Sequence, residues 1–286
     1  MSAAPSDPDP FLLVSASSFS IEQLTAAYNQ TRVDYLVPMP MNAARLAEYV
    51  HVYDVNLERS LVAMDGDAIL GLAMIGVRPG RVWVTRLGVL PVKRRRGAGE
   101  ALMRGLLAAG EQPGIHFAVL EVIKHNDPAH ALFVKLGFRE TQELLVLRRP
   151  PGAPREVPPA QVRWLDRVEM LAALESRATP SAWTHEAESF AKAQYVLGLA
   201  LTLPDGGSGW LAFQRQTFVL QRLILVTERG DPRAVGRALL AHLYQQHPLF
   251  DTHAENIPSD DPHLPALLEA GFIESFRRIE MQRKFV

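Results

Sequence analysis

The stretch Val84-Thr85-Arg86-Leu87-Gly88-Val89-Leu90-Pro91-Val92-Lys93-Arg94-Arg95-Arg96-Gly97-Ala98-Gly99 decides how this chain is read. Its first half is apolar and stops at Pro91, as a strand would. Four cations follow, then glycines. From Gly97 to Ala109 the apolar Leu102, Leu106 and Leu107 share one face of a helix that Gly110 would stop. A strand, a basic glycine turn and a helix start aim several backbone N–H groups into one small space at the positive end of a helix dipole. Such a space binds a pyrophosphate. Gly97 and Gly99 would let phosphate approach the backbone with no Cβ in the way. Lys93, Arg94, Arg95 and Arg96 would add charge-assisted donors. The plain alternative is a solvated basic turn before an ordinary helix. As a bare pattern, R-x-x-G-x-[GA] matches by chance about once in a chain this long.

Working outward, Phe11 to Val14 reads as a short strand, and Ser20 with Gln23 as a capping box that opens a helix. Asn42 would cap a second helix reaching about Tyr53. Ser60–Met64 and Ile69–Val77 flank the turn Asp65-Gly66-Asp67, and Arg81–Leu90 adds a third strand after Pro79-Gly80. Beyond the decisive segment, Phe117–Ile123 reads as a buried strand. Asp127-Pro128 opens a helix that Gly137 ends, and Glu143–Leu147 returns as a strand. The order β-α-α-β-β-β-α-β-α-β predicts an α/β fold, a mixed sheet with helices on both faces.

Prolines 150, 151, 154, 158 and 159 can continue neither helix nor sheet, so 150–160 reads as a stiff linker between 1–149 and 161–286. A break near the midpoint invites a search for a repeat. Arg94-x-x-Gly97-x-Gly99 recurs as Arg233-x-x-Gly236-x-Ala238, and Arg86-Leu87 as Arg222-Leu223. Asp127-Pro128 and Gly137-Phe138 recur as Asp261-Pro262 and Gly271-Phe272. Matches in one order at a nearly constant offset indicate an old duplication.

The 286 residues suit two domains. Hydrophobic residues make up 48% and charged residues 21%, an ordinary globular composition. A net charge of -1 gives no basic surface for a polyanion, which argues against nucleic acid. The absence of cysteine removes disulfides, thiolate metal sites and cysteine nucleophiles, and it fits a reducing, cytoplasmic setting. Met1 to Pro10 has neither the basic nor the apolar region of a signal peptide. No uncharged run approaches the ~18 residues that span a bilayer, so no membrane association is expected. Lys occurs only at 93, 124, 135, 192 and 284, an Arg bias that fits a GC-rich bacterial genome. The histidines show no H-x-x-x-H or H-E-x-x-H spacing, and no metal site is expected.

Leu87-x-Val89-x-Pro91, Arg94-x-x-Gly97-x-Gly99, Leu120-Glu121-Val122 and Asn126-x-x-Ala129-x-x-Leu132-Phe133-x-x-x-Gly137-Phe138 together resemble the GCN5-related N-acetyltransferase (GNAT) superfamily. The match is specific within residues 80–140. The segment Tyr53 to Val62 is also similar to bacterial tandem-GNAT proteins. The second half resembles the fold only through the repeat. The resemblance implies two tandem GNAT-like domains and acetyl-CoA as cofactor. It implies main-chain contacts to the pantetheine and thioester at Leu87, Gly88 and Val89. Phosphate contacts would come from Arg94 to Gly99, including Ala98, and further cofactor contacts from Asn126 and Phe133. Glu121 stands where enzymes with a Leu-Glu-Val signature use their base. Acyl transfer needs a proton taken from an ammonium and one given to a thiolate. A mid-strand carboxylate among apolar residues should have a raised pKa, as a base at neutral pH requires. The alternative for Glu121 is a structural carboxylate paired with an Arg.

The family commonly has Tyr as general acid where this chain has Phe133, which leaves water, Tyr28 or Tyr35 for that role. In the second copy Glu228 and Asp231 put negative charge where phosphates would sit, and Leu267 stands in the place of Phe133. The expectation is a degenerate second domain beside a working first one. The chain would be an N-acetyltransferase acting on a small-molecule or peptide amine, with a non-catalytic acyl-CoA-binding protein as alternative. A tandem repeat that mimics a dimer is compatible with a monomer.

Overall fold

Residues 11–177 and 181–285 are described in a computed structural model of the chain, so the reading of Met1 to Pro10 falls outside the described residues. Contacts divide the chain into two units. The first takes the chain through Glu121, then Asn126–Arg139, and the end from Met281. The second takes Val122–His125 and Glu140–Glu280.

In the first unit β1 (Leu12–Ser15) leads to α1 (Ile21–Gln30), whose start carries the expected capping box between Ser20 and Gln23. Asn42 caps α2 (Ala43–Val52) by accepting from the Arg45 N–H at 2.8 Å. An antiparallel meander follows: β2 (Leu61–Asp65), β3 (Ala68–Arg78) and β4 (Gly80–Val89). Then come α3 (Ala98–Gly110), β5 (Ile115–Ile123) and α4 (Asp127–Lys135). The strands lie in the order β1-β2-β3-β4-β5, with β4 and β5 parallel. Element order and type are those read from the sequence. Two helix ends differ. Gly110 is the last residue of α3 rather than its stop, and the cap of α4 is Asn126, with Asp127 already helical. Leu102, Met103 and Leu106 of α3 are buried completely, as is the facing Leu72–Ile75 run of β3.

The second unit holds β6 (Arg139–Arg149), β7 (Gln161–Leu165), α5 (Arg167–Glu175), α6 (Ala187–Lys192), β8 (Val196–Thr202) and β9 (Ser208–Gln216). It continues with β10 (Val219–Arg229), α7 (Pro232–Gln246), β11 (Asp251–Pro258), α8 (Leu264–Glu269) and β12 (Ile273–Lys284). Its strands run β6-β11-β10-β9-β8-β7. Leu239, Leu240 and Leu243 of α7 are buried in its core, as their spacing predicts. The segment 150–160 forms neither helix nor strand. The units nevertheless depart from a division at 149, because Leu144–Arg149 of β6 pair with Thr252–Pro258 of β11. Hydrogen bonding, not chain order, assigns that strand.

The repeat is visible in backbone geometry. Arg86 (φ 56°) and Arg222 (φ 55°) both adopt the left-handed conformation in mid-strand. Each marks a bulge, since the register slips between Leu72 and Met74 opposite Arg86, and between Gln221 and Ile224 around Arg222. Gly137 and Gly271 (φ 87° and 93°) end α4 and α8 alike. One sequence match is corrected. Gly97 is the N-cap of α3, whereas Gly236 lies inside α7, where an added Cβ would stand 3.0 Å from the Ala266 Cβ. The structural counterpart of Gly97 is Asp231, the N-cap of α7, at the offset of 134 (231 − 97) that also separates Gly137 from Gly271.

The second unit also buries a titratable ring. His185 is pushed down to about 3, first by burial and then by the fields of Arg177, Arg222 and Arg278, against a smaller opposing effect of Glu255. The unfolded chain therefore takes up a proton near pH 6.5 that the folded chain refuses until about pH 3. Stability should fall as pH drops through that window, by on the order of 5 kcal/mol from this group if fully expressed. His185→Leu is expected to flatten the dependence of urea midpoints on pH between 6.5 and 4. Slopes identical to those of the parent chain would contradict the assignment.

Candidate active site

Strands β4 and β5 pair only from Gly80 to Trp83, the last register being Trp83 with Val119. The bulge at Arg86 turns the remaining backbone of β4, so Leu87, Gly88 and Val89 run free of β5 while still paired or close to β3. This opening is where an extended ligand can add its own hydrogen bonds to a strand. Gly88 is required by what lies over it: a Cβ there would come within 2.4 Å of Thr31 Oγ1 and 2.7 Å of Arg32 Nη1. The Leu87 carbonyl accepts from Arg32 Nη2 at 3.0 Å.

The opening leads to the N-terminus of α3. Gly97 takes φ 87°, a conformation that Gly adopts at no steric cost, and gives no side-chain cap. Ala101 is bonded to the Gly97 carbonyl at 2.9 Å, so the N–H groups of Ala98, Gly99 and Glu100 lack acceptors within the helix. Uncapped donors at the positive end of a helix suit an anion. Gly99 has room for a Cβ, its nearest neighbours being Val89 Cγ2 at 3.7 Å and Leu132 Cδ2 at 3.8 Å.

The cations of the turn are less free than their sequence suggests. Arg94 makes two 2.7 Å bonds to the Asp34 carboxylate and also donates to the carbonyls of Thr31 and Val89, both at 3.1 Å. Its field is therefore partly cancelled, although no acid lies within the Lys93 to Arg96 run itself. The bond to Arg94 in turn holds the Asp34 carboxyl below its usual range. Lys93 faces Asp65 at 3.4 Å. Arg95 (φ 62°) and Arg96 are exposed.

Glu121 sits on β5, half-buried, and its Oε2 accepts from the Trp83 indole N–H at 2.7 Å. Trp83 packs beside Tyr49 and Tyr53, with ring centroids 6.0 and 5.7 Å away. The Tyr49 hydroxyl meets Thr85 Oγ1 at 2.5 Å, and burial drives its pKa upward. Asn126, the N-cap of α4, makes no side-chain cap bond to that helix. Phe133 is buried against Phe138, its ring 6.0 Å away. Of the two tyrosines considered as acids, Tyr28 is fully buried and donates its proton to the Met39 carbonyl at 3.0 Å. Tyr35 stacks under Arg32, 5.2 Å from its guanidinium. Among the described residues no three His, Asp or Glu side chains converge on a metal position, and no helix is long and apolar enough to cross a membrane.

In the second unit the matching helix start is filled. Asp231 caps α7 by accepting from the N–H groups of Arg233 and Ala234 at 3.4 and 3.0 Å. Arg233 is drawn away to Glu269. Two residues, 230 and 231, join β10 to α7, where eight, 90–97, join β4 to α3. The Asp231-Pro232 pair is a cap and first-turn signature legible in the sequence, although the R-x-x-G spacing aligns Gly236 rather than Asp231 with Gly97. Asp34, Arg32, Trp83 and Tyr49 carried no local signal. Titration of the whole chain with acetyl-CoA should accordingly give about one site. Arg233→Ala should leave that site intact, and Arg94→Ala should weaken it. A stoichiometry near two, with one site lost in Arg233→Ala, would show a working second site.

Residues 23–138 match the sequence model of the acetyltransferase (GNAT) family. No protein of curated function matches the chain in sequence. Solved structures share its fold along nearly its whole length. A tandem GNAT protein from the clavulanic acid biosynthesis pathway has 13% identity and a TM-score of 0.66, covering 96% of this chain and 98% of its own. A GCN5-related N-acetyltransferase from Sphaerobacter thermophilus has 17% identity and a TM-score of 0.67, covering 97% and 96%. An acetyltransferase-like protein from Pyrococcus horikoshii has 14% identity and a TM-score of 0.68, covering 100% and 93%. The bulged, parted strands and the glycine-capped helix lie inside residues 23–138, the segment that matches the acetyltransferase (GNAT) family, and the chain as a whole shares its fold with a tandem GNAT protein.

Proposed function

We propose that the first copy, residues 1–149, moves an acetyl group from acetyl-CoA to a primary amine in the cytoplasm of a bacterial cell, and that the second copy, residues 161–286, is a degenerate domain. The observation that carries this reading is the opening between β4 and β5 leading to the uncapped start of α3. An extended pantetheine arm would pair with Leu87 to Val89, and the pyrophosphate would lie on the N–H groups around Gly97 to Gly99. Acetyl-CoA supplies an activated thioester. Glu121, steadied by its bond to Trp83, takes a proton from the bound ammonium, and the free amine then attacks the thioester carbonyl and displaces the thiolate. The hydroxyls of Tyr28 and Tyr49 are already engaged, and a thiolate of ordinary pKa takes its proton from water.

The buried Phe133 favours a second reading, a binder of acyl-CoA without turnover. Free-thiol release measured across aminoglycosides, polyamines, amino acids and peptide N-termini separates the two. Amine-dependent release supports transfer. Tight acetyl-CoA binding with no release from any amine class supports the binder.

A further inference from the structure

Two carbonyls inside the β4 opening are already taken. The Leu90 N–H goes back to the Leu70 carbonyl of β3 at 2.8 Å. Backbone groups alternate along a strand, so the carbonyls of Val89 and Leu87 face away from β3, into the space that β5 leaves. The Val89 carbonyl accepts from Arg94 Nε at 3.1 Å, and the Leu87 carbonyl from Arg32 Nη2 at 3.0 Å. An extended arm laid along β4 would need these same acceptors for its own N–H groups.

Both guanidinium groups fasten one segment. The connection between α1 and α2 begins at Thr31, which is buried over Gly88, and Arg32 and Asp34 follow directly. Arg94 bonds both Asp34 oxygens at 2.7 Å and the Thr31 carbonyl at 3.1 Å. The far end is tied separately. Asn29 exchanges two bonds with the Met41 backbone, at 2.8 and 3.0 Å, and the Tyr28 hydroxyl donates to the Met39 carbonyl at 3.0 Å. Residues from Arg32 to Pro38 thus form a strap fixed at its ends and latched by side chains across β4. The latch is weak enough to open. Arg94 and Asp34 are 41% and 48% exposed, where an ion pair contributes little. The hydrogen bonds of Arg32 go to neutral oxygens, and burial lowers its pKa, so its charge is held there at a cost.

We infer that this strap shuts the cofactor groove in the ligand-free chain and that acetyl-CoA opens it. Arg94 leaves Asp34 for the pyrophosphate, and Arg32 yields the Leu87 carbonyl to the pantetheine arm. This rests on the cofactor reading above. A ligand shifts such an equilibrium only through contacts that differ between the two states. Here those contacts are the amide N–H groups of the arm and the phosphates, which replace the guanidinium bonds one for one.

The test compares acetyl-CoA with adenosine 3′-phosphate 5′-diphosphate, which carries the phosphates without the arm, by calorimetry on the full chain. Arg32→Gln should strengthen acetyl-CoA binding by about 10-fold and leave the armless nucleotide unchanged, since the competing bond is that of a charged donor. Asp34→Asn should strengthen both ligands by about 2- to 5-fold, the scale of an exposed ion pair. Hydrogen exchange on the parent chain needs no substitution. The N–H groups of Arg32 and Tyr35, bonded to the Asn29 and Arg32 carbonyls, should exchange faster once acetyl-CoA is bound. A rigid wall gives the reverse. Acetyl-CoA affinity that stays level or falls in Arg32→Gln overturns the strap, as does slower exchange at those amides, and either result leaves the cofactor site standing. A parent chain that binds no acetyl-CoA overturns the cofactor reading and the strap with it.

Discussion

Glu121→Gln should lower kcat by about 10²- to 10⁴-fold, the range for removing a positioned general base, and leave acetyl-CoA affinity nearly unchanged. The substitution suits the question because of what Glu121 touches. Its Oε2 accepts the Trp83 indole N–H at 2.7 Å, and a glutamine oxygen can accept the same bond. Side-chain position and the packing of Trp83 against Tyr49 and Tyr53 are then preserved, while the capacity to take a proton is lost. A structural carboxylate would show the reverse, with turnover kept and any loss appearing in thermal stability. Full turnover at pH 7 in Glu121→Gln would leave the residue a structural role only.

Gly97→Asp should abolish acetyl-CoA binding, as a loss of more than about 100-fold in calorimetric affinity, with the fold retained. Two costs are separable. A side chain at φ 87° strains the backbone by roughly 1–2 kcal/mol, although Asn and Asp tolerate this region better than most residues. Space is not limiting, because the nearest atom to a Cβ there is Phe11 Cζ at 3.9 Å. The larger effect is electrostatic: a carboxylate beside the first-turn N–H groups of α3 repels the phosphates those groups would hold. The second copy supplies a natural version, with Asp231 on the N–H groups of Arg233 and Ala234. Gly97→Asn carries the same strain without the charge and should retain measurable binding. Unchanged affinity in Gly97→Asp would remove the phosphate site from this turn.

Much of the first copy was legible because its signals are short-ranged. Ser20 with Gln23 and Asn42 with Arg45 are contacts between residues three apart, and each forms as read. The Gly97 and Gly137 conformations answer a backbone demand that only glycine meets cheaply. The duplication was legible for the same reason, as two sets of local punctuation in one order. Its register was not. Pattern matching placed Gly236 opposite Gly97, whereas packing against Ala266 explains Gly236 and capping explains Asp231.

The sequence by itself determined the strand–turn–helix order, the caps and the presence of two copies, since these depend on neighbours within a few positions. Only the tertiary structure decided the state of the charges. Asp34 reaches Arg94 across 60 positions, Arg32 reaches the Leu87 carbonyl across 55, and Trp83 reaches Glu121 across 38. Whether a cation in a basic run is free or neutralised depends on side chains that folding brings from elsewhere, because charge interactions act over a few ångströms of space whatever the separation along the chain.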